Sequence, residues 1–339
     1  MHIPENYLSP ATCVVMGAAM VPVWVHAVRR VNRDLPKEKM PLLGVGASFS
    51  FLSMMFNVPL PGGTTGHAVG GTLIAILVGP DAACIAISSA LLLQAVIFGD
   101  GGILSFGANC FNMAFVLPYA GYGIYSLIQK ASGKKDRHGI SYAAAAIGSY
   151  AGINLAALCT AIEFGIQPIL FHDAAGNALY CPYGLSISIP AMMIPHLLVA
   201  GIVEAAFTIA ILVFVRKTSP DLLYGDGTKT HTKSHVPLFA LTAILIAASP
   251  AGLLAQGTAW GEWGADEISA IVTNGKTLGY TPQGLSKGWT LQALLPDYAV
   301  SGFNEIIGYI LSAIIGTALL IIFFKLLSIP VKKKEKYAA

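Results

Sequence analysis

The chain of 339 residues is 55% hydrophobic and only 11% charged, with a mean hydropathy of +0.67. A soluble globular domain carries about a quarter charged residues, so this composition excludes a water-soluble enzyme or binding module for most of the chain. The formal net charge is only +3, and we attribute it to membrane topology rather than to nucleic-acid binding.

Apolar segments along the chain predict an all-α integral membrane protein. A run of roughly 17–25 apolar residues spans a bilayer as a helix. The candidates lie at about 9–29, 40–58, 64–79, 81–98, 107–128, 140–162, 187–215, 236–256 and 303–327. The third is short and rich in glycine, which also fits a tilted or partly re-entrant helix. We therefore predict about nine transmembrane helices, seven in a first domain and two in a hairpin.

Basic residues set the orientation of these helices, because Lys and Arg concentrate in the cytoplasmic loops of membrane proteins. If the chain is threaded with its N-terminus outside, every Lys and Arg except Lys276 and Lys287 lies on the cytoplasmic side. The sequence thus predicts an extracytoplasmic N-terminus and a cytoplasmic C-terminus. The opening residues lack the basic n-region of a signal peptide, so we expect Met1 to be kept.

Composition divides the chain into two membrane domains. Residues 1–217 carry the first seven predicted helices, and the polar stretch 218–235 is typical of a cytoplasmic linker. Residues 236–339 form the predicted two-helix hairpin, which encloses an extracytoplasmic loop at 257–302. No internal repeat is evident, which weighs against a secondary transporter built from inverted repeats.

The first two residues, in the opening MHIPENYLSP, offer three nitrogens to one metal ion. The terminal amine and the backbone nitrogen of His2 close a five-membered chelate ring, and that backbone nitrogen and Nδ1 of His2 close a six-membered ring. Three coplanar nitrogens suit a square-planar ion, which indicates Ni(II) or Cu(II), with Co(II) as an alternative. Zinc prefers a tetrahedron, and magnesium and calcium prefer oxygen.

His67 is the best candidate for a fourth nitrogen. It lies in PLPGGTTGHAVGGTLIAIL, just inside the outer end of the third predicted helix and on the same side of the membrane as Met1. The surrounding glycines allow another segment to approach the backbone closely. The alternative is a histidine that hydrogen-bonds a neighbour in a tightly packed helix. A histidine within a membrane span is costly, however, which favours a functional role.

Two further pairs of polar residues lie in predicted helices. Asn109 and Asn112 begin the fifth helix on its outer side, where they could orient the metal-binding imidazoles or form caps and interhelical hydrogen bonds. His196 and Glu204 lie two turns apart on the seventh helix. They could form an ion path, but we expect a structural hydrogen-bonded pair.

The segments MHIPENYLSP, PGGTTGHAVGG and GDGGILSFGANCFNMAF resemble the NikM/CbiM family, the substrate-binding membrane component of energy-coupling-factor transporters for nickel and cobalt. This resemblance covers roughly residues 1–217. Residues 236–339, with LLPDYAVSGF and GYILSAIIGTALL, are similar to the small NikN/CbiN accessory component, here fused to the first domain.

The resemblance implies a seven-helix fold in which the N-terminal segment is inserted into the protein. It implies a square-planar site made by the amine of Met1, the amide nitrogen and imidazole of His2, and His67. It also implies a transmembrane coupling subunit and cytoplasmic ATPases as partners in a prokaryotic cell membrane, with Ni(II) as the transported ligand and no organic cofactor. The chain itself has no GxxxxGK[ST] phosphate loop, so we expect a transporter subunit and not an enzyme.

Two alternatives stay open at the level of sequence. The same machine could carry Co(II) for cobalamin synthesis, although within the resemblance "MHIP" and the fused hairpin favour nickel. A protein of another class, a stand-alone secondary carrier or a membrane metal sensor, is disfavoured because most predicted helices lack charged residues that could relay protons.

Overall fold

The computed structural model describes residues 1–35, 40–61, 63–133, 138–220, 223–224, 236–255, 257–273 and 276–328. The α-helices are α1 (Pro10–Asp34), α2 (Met40–Met55), α3 (Gly71–Val78), α4 (Pro80–Leu93), α5 (Phe106–Asn109), α6 (Leu117–Ala131), α7 (His138–Gly165), α8 (Gln167–Leu170), α9 (Leu185–Pro195), α10 (Gly201–Thr218), α11 (Val236–Ala248), α12 (Gln283–Lys287) and α13 (Glu305–Ser328).

Tighter and wider helical turns and two small hairpins complete the described structure. The π-helical turns are Gln94–Phe98, Cys110–Val116 and His196–Ala200, and the 3₁₀ turns are Ser249–Leu254, Ile268–Ala270 and Pro296–Tyr298. The strands are β1 (Val58–Leu60), β2 (Thr64–Gly66), β3 (Val272–Thr273) and β4 (Lys276–Thr277). β1 pairs with β2, and β3 pairs with β4, both in antiparallel orientation.

Long apolar helices confirm the predicted multi-pass membrane protein. Among the described residues, six segments are long and apolar enough to cross a bilayer: Pro10–Asp34, Pro80–Phe98, Gly139–Leu170, Leu185–Thr218, Val236–Leu254 and Glu305–Ser328. Helix α2 is a shorter apolar helix of 16 residues. The total of nine crossings and the sidedness of the two termini stay predictions.

The third predicted helix differs most from the structure. Its first part, from Thr64 to Gly66, pairs with β1 as a hairpin, and α3 has only the eight residues Gly71–Val78. Gly70 precedes α3 with φ at 72°, a left-handed conformation that glycine adopts without the steric cost of a side chain. His67 therefore lies in a loop between a hairpin and a short helix, not within a helix.

The helical bundle packs closely where glycines face one another across α6 and α7. A Cβ atom on Gly148 would lie 2.5 Å from the carbonyl oxygen of Gly121, and one on Gly152 would lie 2.7 Å from the carbonyl oxygen of Leu117. Small residues allow such close contact between helix backbones in membranes.

The predicted accessory hairpin packs against the first domain through α2 and α13. The hydroxyl of Tyr309 donates to the carbonyl of Met55 at 2.8 Å, and Gly44 of α2 faces the Cα atom of Ile321. Of the predicted linker 218–235, residues 221–222 and 225–235 lie outside the described residues. Tyr224 donates its backbone N–H to the carbonyl of Ile76 at 3.1 Å.

Close packing of α6 on α7 predicts a stability difference between two glycines. We expect Gly148→Ala to destabilise the bundle by about 1–3 kcal/mol, the usual cost of overpacking. Gly123→Ala on α6 is the matched control, because nothing lies within 4 Å of its added Cβ. Reversible unfolding in detergent micelles measures both, and equal stabilities of the two variants would contradict this view of the interface.

Candidate metal centre

The N-terminal segment, residues 1–9, is largely buried and held through its backbone. The Ile3 N–H donates to Oδ1 of Asn109 at 2.8 Å, and the carbonyl of Ile3 accepts from Nδ2 of Asn109 at 3.0 Å. The backbone N–H of Gly102 donates to the same carbonyl at 2.8 Å. Asn109 therefore orients the main chain directly after His2, not an imidazole.

The loop between α4 and α5 hydrogen-bonds to and packs closely against the next residues of the segment. Glu5 accepts from the backbone N–H groups of Ile103 at 2.7 Å and Leu104 at 3.3 Å. A Cβ atom on Gly102 would lie 2.7 Å from the backbone nitrogen of Glu5, so this close approach requires glycine. Further along, the N–H of Ser9 donates to Oε1 of Gln167 at 3.0 Å.

These contacts bring the two predicted imidazoles together. The ring centroids of His2 and His67 are 5.0 Å apart with an interplanar angle of 82°. His2 is only 2% exposed. The terminal nitrogen of Met1, also buried, lies 3.2 Å from Oε1 of Glu262 in the loop of the accessory hairpin.

A carboxylate also faces the imidazole of His2. Oδ1 of Asp100 lies 2.9 Å from Nδ1 of His2. Burial alone would lower the pKa of His2, but the charge and hydrogen bonding of Asp100 outweigh it and raise that pKa. Burial would likewise raise the pKa of Asp100, yet His2 and the hydroxyl of Tyr298 hold it well below its usual range.

The accessory hairpin helps to position Asp100. The hydroxyl of Tyr298 donates to Oδ2 of Asp100 at 2.5 Å. Nε2 of Gln94 donates to the hydroxyl oxygen of Tyr298 at 2.9 Å and to Oδ2 of Asp100 at 3.0 Å. The Tyr298 ring stacks on Phe98 with centroids 4.7 Å apart. A residue of the second domain thus orients the carboxylate that faces His2.

The loop that carries His67 is held by a different set of contacts. Nδ1 of His67 lies 3.3 Å from the carbonyl of Ala68. The next residues bond to a buried carboxylate: Glu204 of α10 accepts from the backbone N–H groups of Val69 at 2.8 Å and Gly70 at 3.0 Å.

Both domains line one cavity of about 410 Å³ at this point. His2, His67 and Asp100 come from the first domain, and Glu262 and Tyr298 come from the hairpin. Within the described part of the chain, no three His, Cys, Asp or Glu side chains are spaced to hold a metal ion. A metal site here therefore needs the backbone or terminal nitrogens in addition to the imidazoles.

Two of the predicted supporting roles are not supported by the observed contacts. Asn112 donates to Oγ1 of Thr160 at 3.1 Å and to Oε2 of Glu163 at 2.7 Å, which matches the interhelical alternative. Nδ1 of His196 lies 2.7 Å from the carbonyl of Met192. Because Glu204 bonds to the His67 loop instead, His196 and Glu204 have separate partners.

Sequence reasoning did not assign roles to Asp100, Glu262 and Tyr298. Asp100 lies in GDGGILSFGANCFNMAF, where the two glycines that follow it could have indicated a close backbone approach. Glu262 and Tyr298 lie in the loop of the hairpin, where spacing gives no indication of distance from residue 1. These contacts depend on tertiary structure.

Comparison with known proteins identifies the family. Residues 2–222 match the model of the family described as the cobalt uptake substrate-specific transmembrane region. This chain belongs to that family. Residues 234–333 match the PDGLE domain. These matches confirm the resemblance of the first part of the chain to the NikM/CbiM family and of the second part to the NikN/CbiN component.

Relatives and solved structures agree with this membership. The chain is 52% identical over 323 residues to the probable fused nickel transport protein LarMN of Lactiplantibacillus plantarum, covering 95% of each chain. It is 45% identical to the fused nickel transport protein NikMN of Rhodobacter capsulatus, again over 95% of each. A crystal structure of a truncated transition metal transporter matches with a TM-score of 0.60 and 55% identity, over 64% of this chain and 99% of that one.

Asn109 holds the N-terminal segment of this family member, which predicts the behaviour of one variant. Asn109→Ala removes two hydrogen bonds worth about 1 kcal/mol each. We expect the buried amine of Met1 to react about tenfold or more faster with an acetylating reagent, measured by mass spectrometry of the N-terminal peptide.

The matched control for this experiment is Asn154→Ala. Asn154 is also buried, but it donates within α7 to the carbonyl of Tyr150 at 2.7 Å. Equal labelling rates in the two variants would show that Asn109 does not secure the terminus.

Proposed function

We propose that this chain captures Ni(II) from outside the cell and is the substrate-specific membrane component of an energy-coupling-factor importer. The nitrogen ligands are the terminal amine of Met1, the amide nitrogen and Nδ1 of His2, and His67. The observation that carries the proposal is the edge-to-face contact of the His2 and His67 rings at a buried chain terminus.

The electrostatics of the cavity support a cation as the substrate. Two of the proposed ligand nitrogens lie beside carboxylates, since Glu262 faces the amine and Asp100 faces Nδ1. These negative charges attract a divalent cation into the cavity. When an ion replaces the protons on the nitrogens, the same carboxylates balance its charge.

The choice of ion follows from the ligands and from the relatives. Nitrogen ligands that include a backbone amide suit a square-planar Ni(II). The two fused relatives described above are named as nickel transport proteins. Co(II) is the second candidate, since other family members are named cobalt transport proteins, such as CbiM of Streptomyces coelicolor, which is 38% identical over 132 residues.

Release of the ion requires energy from other subunits in this proposal. The sequence has no P-loop, so a transmembrane coupling subunit and cytoplasmic ATPases would supply ATP hydrolysis. In this proposal residues 1–217 bind the ion, 218–235 are the linker, and the second domain, 236–339, contributes Glu262 and Tyr298 to the lining of the cavity.

Removing a ligand tests the site directly. We expect His2→Ala and His67→Ala each to abolish high-affinity nickel uptake while the protein still inserts into the membrane. Uptake of radioactive nickel by cells that express the full transporter measures both.

The control for the ligand variants is His172→Ala. His172 lies in the loop between α8 and α9, where its Nδ1 is 3.2 Å from the carbonyl of Asp173. Its replacement should leave uptake unchanged. Wild-type uptake in either ligand variant would refute the assignment of the site.

Competition between ions tests the substrate. We expect unlabelled Ni(II) to inhibit labelled nickel uptake at least tenfold more effectively than Co(II), because the amide-containing chelate favours a square-planar ion. Equal inhibition would favour the cobalt alternative. Uptake that persists after deletion of the partner ATPases would favour a stand-alone carrier.

A further inference from the structure

The carboxylate of Glu204 is fully buried in the interior of the bundle, and its described partners are backbone N–H groups. Its Oε2 accepts from Val69 at 2.8 Å and its Oε1 accepts from Gly70 at 3.0 Å. Removing a carboxylate from water costs several kcal/mol unless hydrogen bonds compensate. Here the compensation comes from the backbone amides of Val69 and Gly70, directly before α3, where the dipole of that helix also favours a negative charge.

The same amides belong to the loop that carries His67. Val69 is two residues after His67, and its carbonyl accepts from Oγ of Ser50 in α2 at 2.8 Å. A Cβ atom on Gly70 would lie 2.6 Å from the ring of Phe49. The loop is therefore held between α2 and α10. The contact with α10 is made by the carboxylate of Glu204.

We propose that Glu204 is a positioning residue for the metal: it fixes the backbone that carries His67 and thereby holds this imidazole against His2. The inference rests on the proposed function, because it needs His67 to be a ligand. Glu204 would thus affect the affinity for the metal ion, although its side chain bonds to the backbone of Val69 and Gly70 and not to the imidazole of His67.

The position of Glu204 also connects the ligand to a particular helix. Glu204 lies in the first turn of α10, directly after the π-helical turn His196–Ala200. Such turns interrupt the regular hydrogen bonding of a helix and are frequent at functional sites. A shift of α10 would therefore move the amides of the loop, and His67 with them, while His2 is held separately by Asn109.

A double-mutant cycle separates positioning from a general contribution to folding. The binding of Ni(II) to the purified full chain is measured by titration calorimetry for the wild type, Glu204→Gln, His67→Ala and the double variant. Loss of a residue that orients a metal ligand typically weakens affinity by about 10–100-fold. We expect that loss for Glu204→Gln in the wild type and no further loss in the His67→Ala background, because the glutamate acts only through that imidazole.

Two additional measurements make the outcome specific. The visible absorption spectrum of bound Ni(II) in Glu204→Gln should shift towards that of His67→Ala, which a merely structural role would not produce. Thr208→Val is the matched control, because Thr208 is a buried polar residue one turn further along α10. We expect it to leave both affinity and spectrum unchanged.

Unchanged affinity in Glu204→Gln, or the same loss in both backgrounds, would overturn the inference. If Glu204→Gln does not fold, Glu204→Asp enters the same cycle, since it keeps the charge but shortens the reach to the amides. Wild-type affinity in His67→Ala would instead refute the proposed function itself, and the inference with it.

Discussion

Burial of the chain terminus is the constraint on which the rest of the candidate site depends. A terminus normally frays, since few contacts compensate the loss of conformational entropy. Here the amide side chain of Asn109 bonds to both backbone groups of Ile3, and the N–H of Gly102 bonds to the same carbonyl. The terminus is thereby held in the interior, and the nitrogens of the first two residues have fixed positions beside the cavity.

The second domain completes the surroundings of those nitrogens. Asp297 and Tyr298 adopt positive φ angles of 54° and 61°, a conformation that costs a non-glycine residue of order 1–3 kcal/mol. The hydrogen bonds of the Tyr298 hydroxyl to Asp100 and Gln94, and its stacking on Phe98, offset this cost. The strain is located where the hairpin meets the first domain, so the contact with Asp100 and the strained backbone depend on each other.

Much of the fold and the centre of the site could be predicted from sequence, for identifiable reasons. Long apolar runs predict helices because lipid leaves the backbone no other partner, and α13 begins within two residues of its predicted start. The third segment was harder, because its glycines permit a turn that hydropathy does not register. His2 could be named because its chelate rings with the terminal amine are local, and His67 because a histidine at the outer end of a predicted membrane span is costly without a function. The partners of Glu204 and Asp100 could not, because they come from distant parts of the chain and no spacing rule connects them.

The two histidines have independent supports, and this arrangement has a mechanical consequence. His2 is held through Asn109 at the end of α5, whereas the loop of His67 is held by Ser50 of α2 and Glu204 of α10. The residues that hold one of the two histidines do not bond to the other. A site of this kind loses its geometry when one support moves relative to the other, without any change in the ligands themselves. In the proposed site, a small movement between α5 and α10 would displace the nitrogens around a square-planar ion and so weaken its binding.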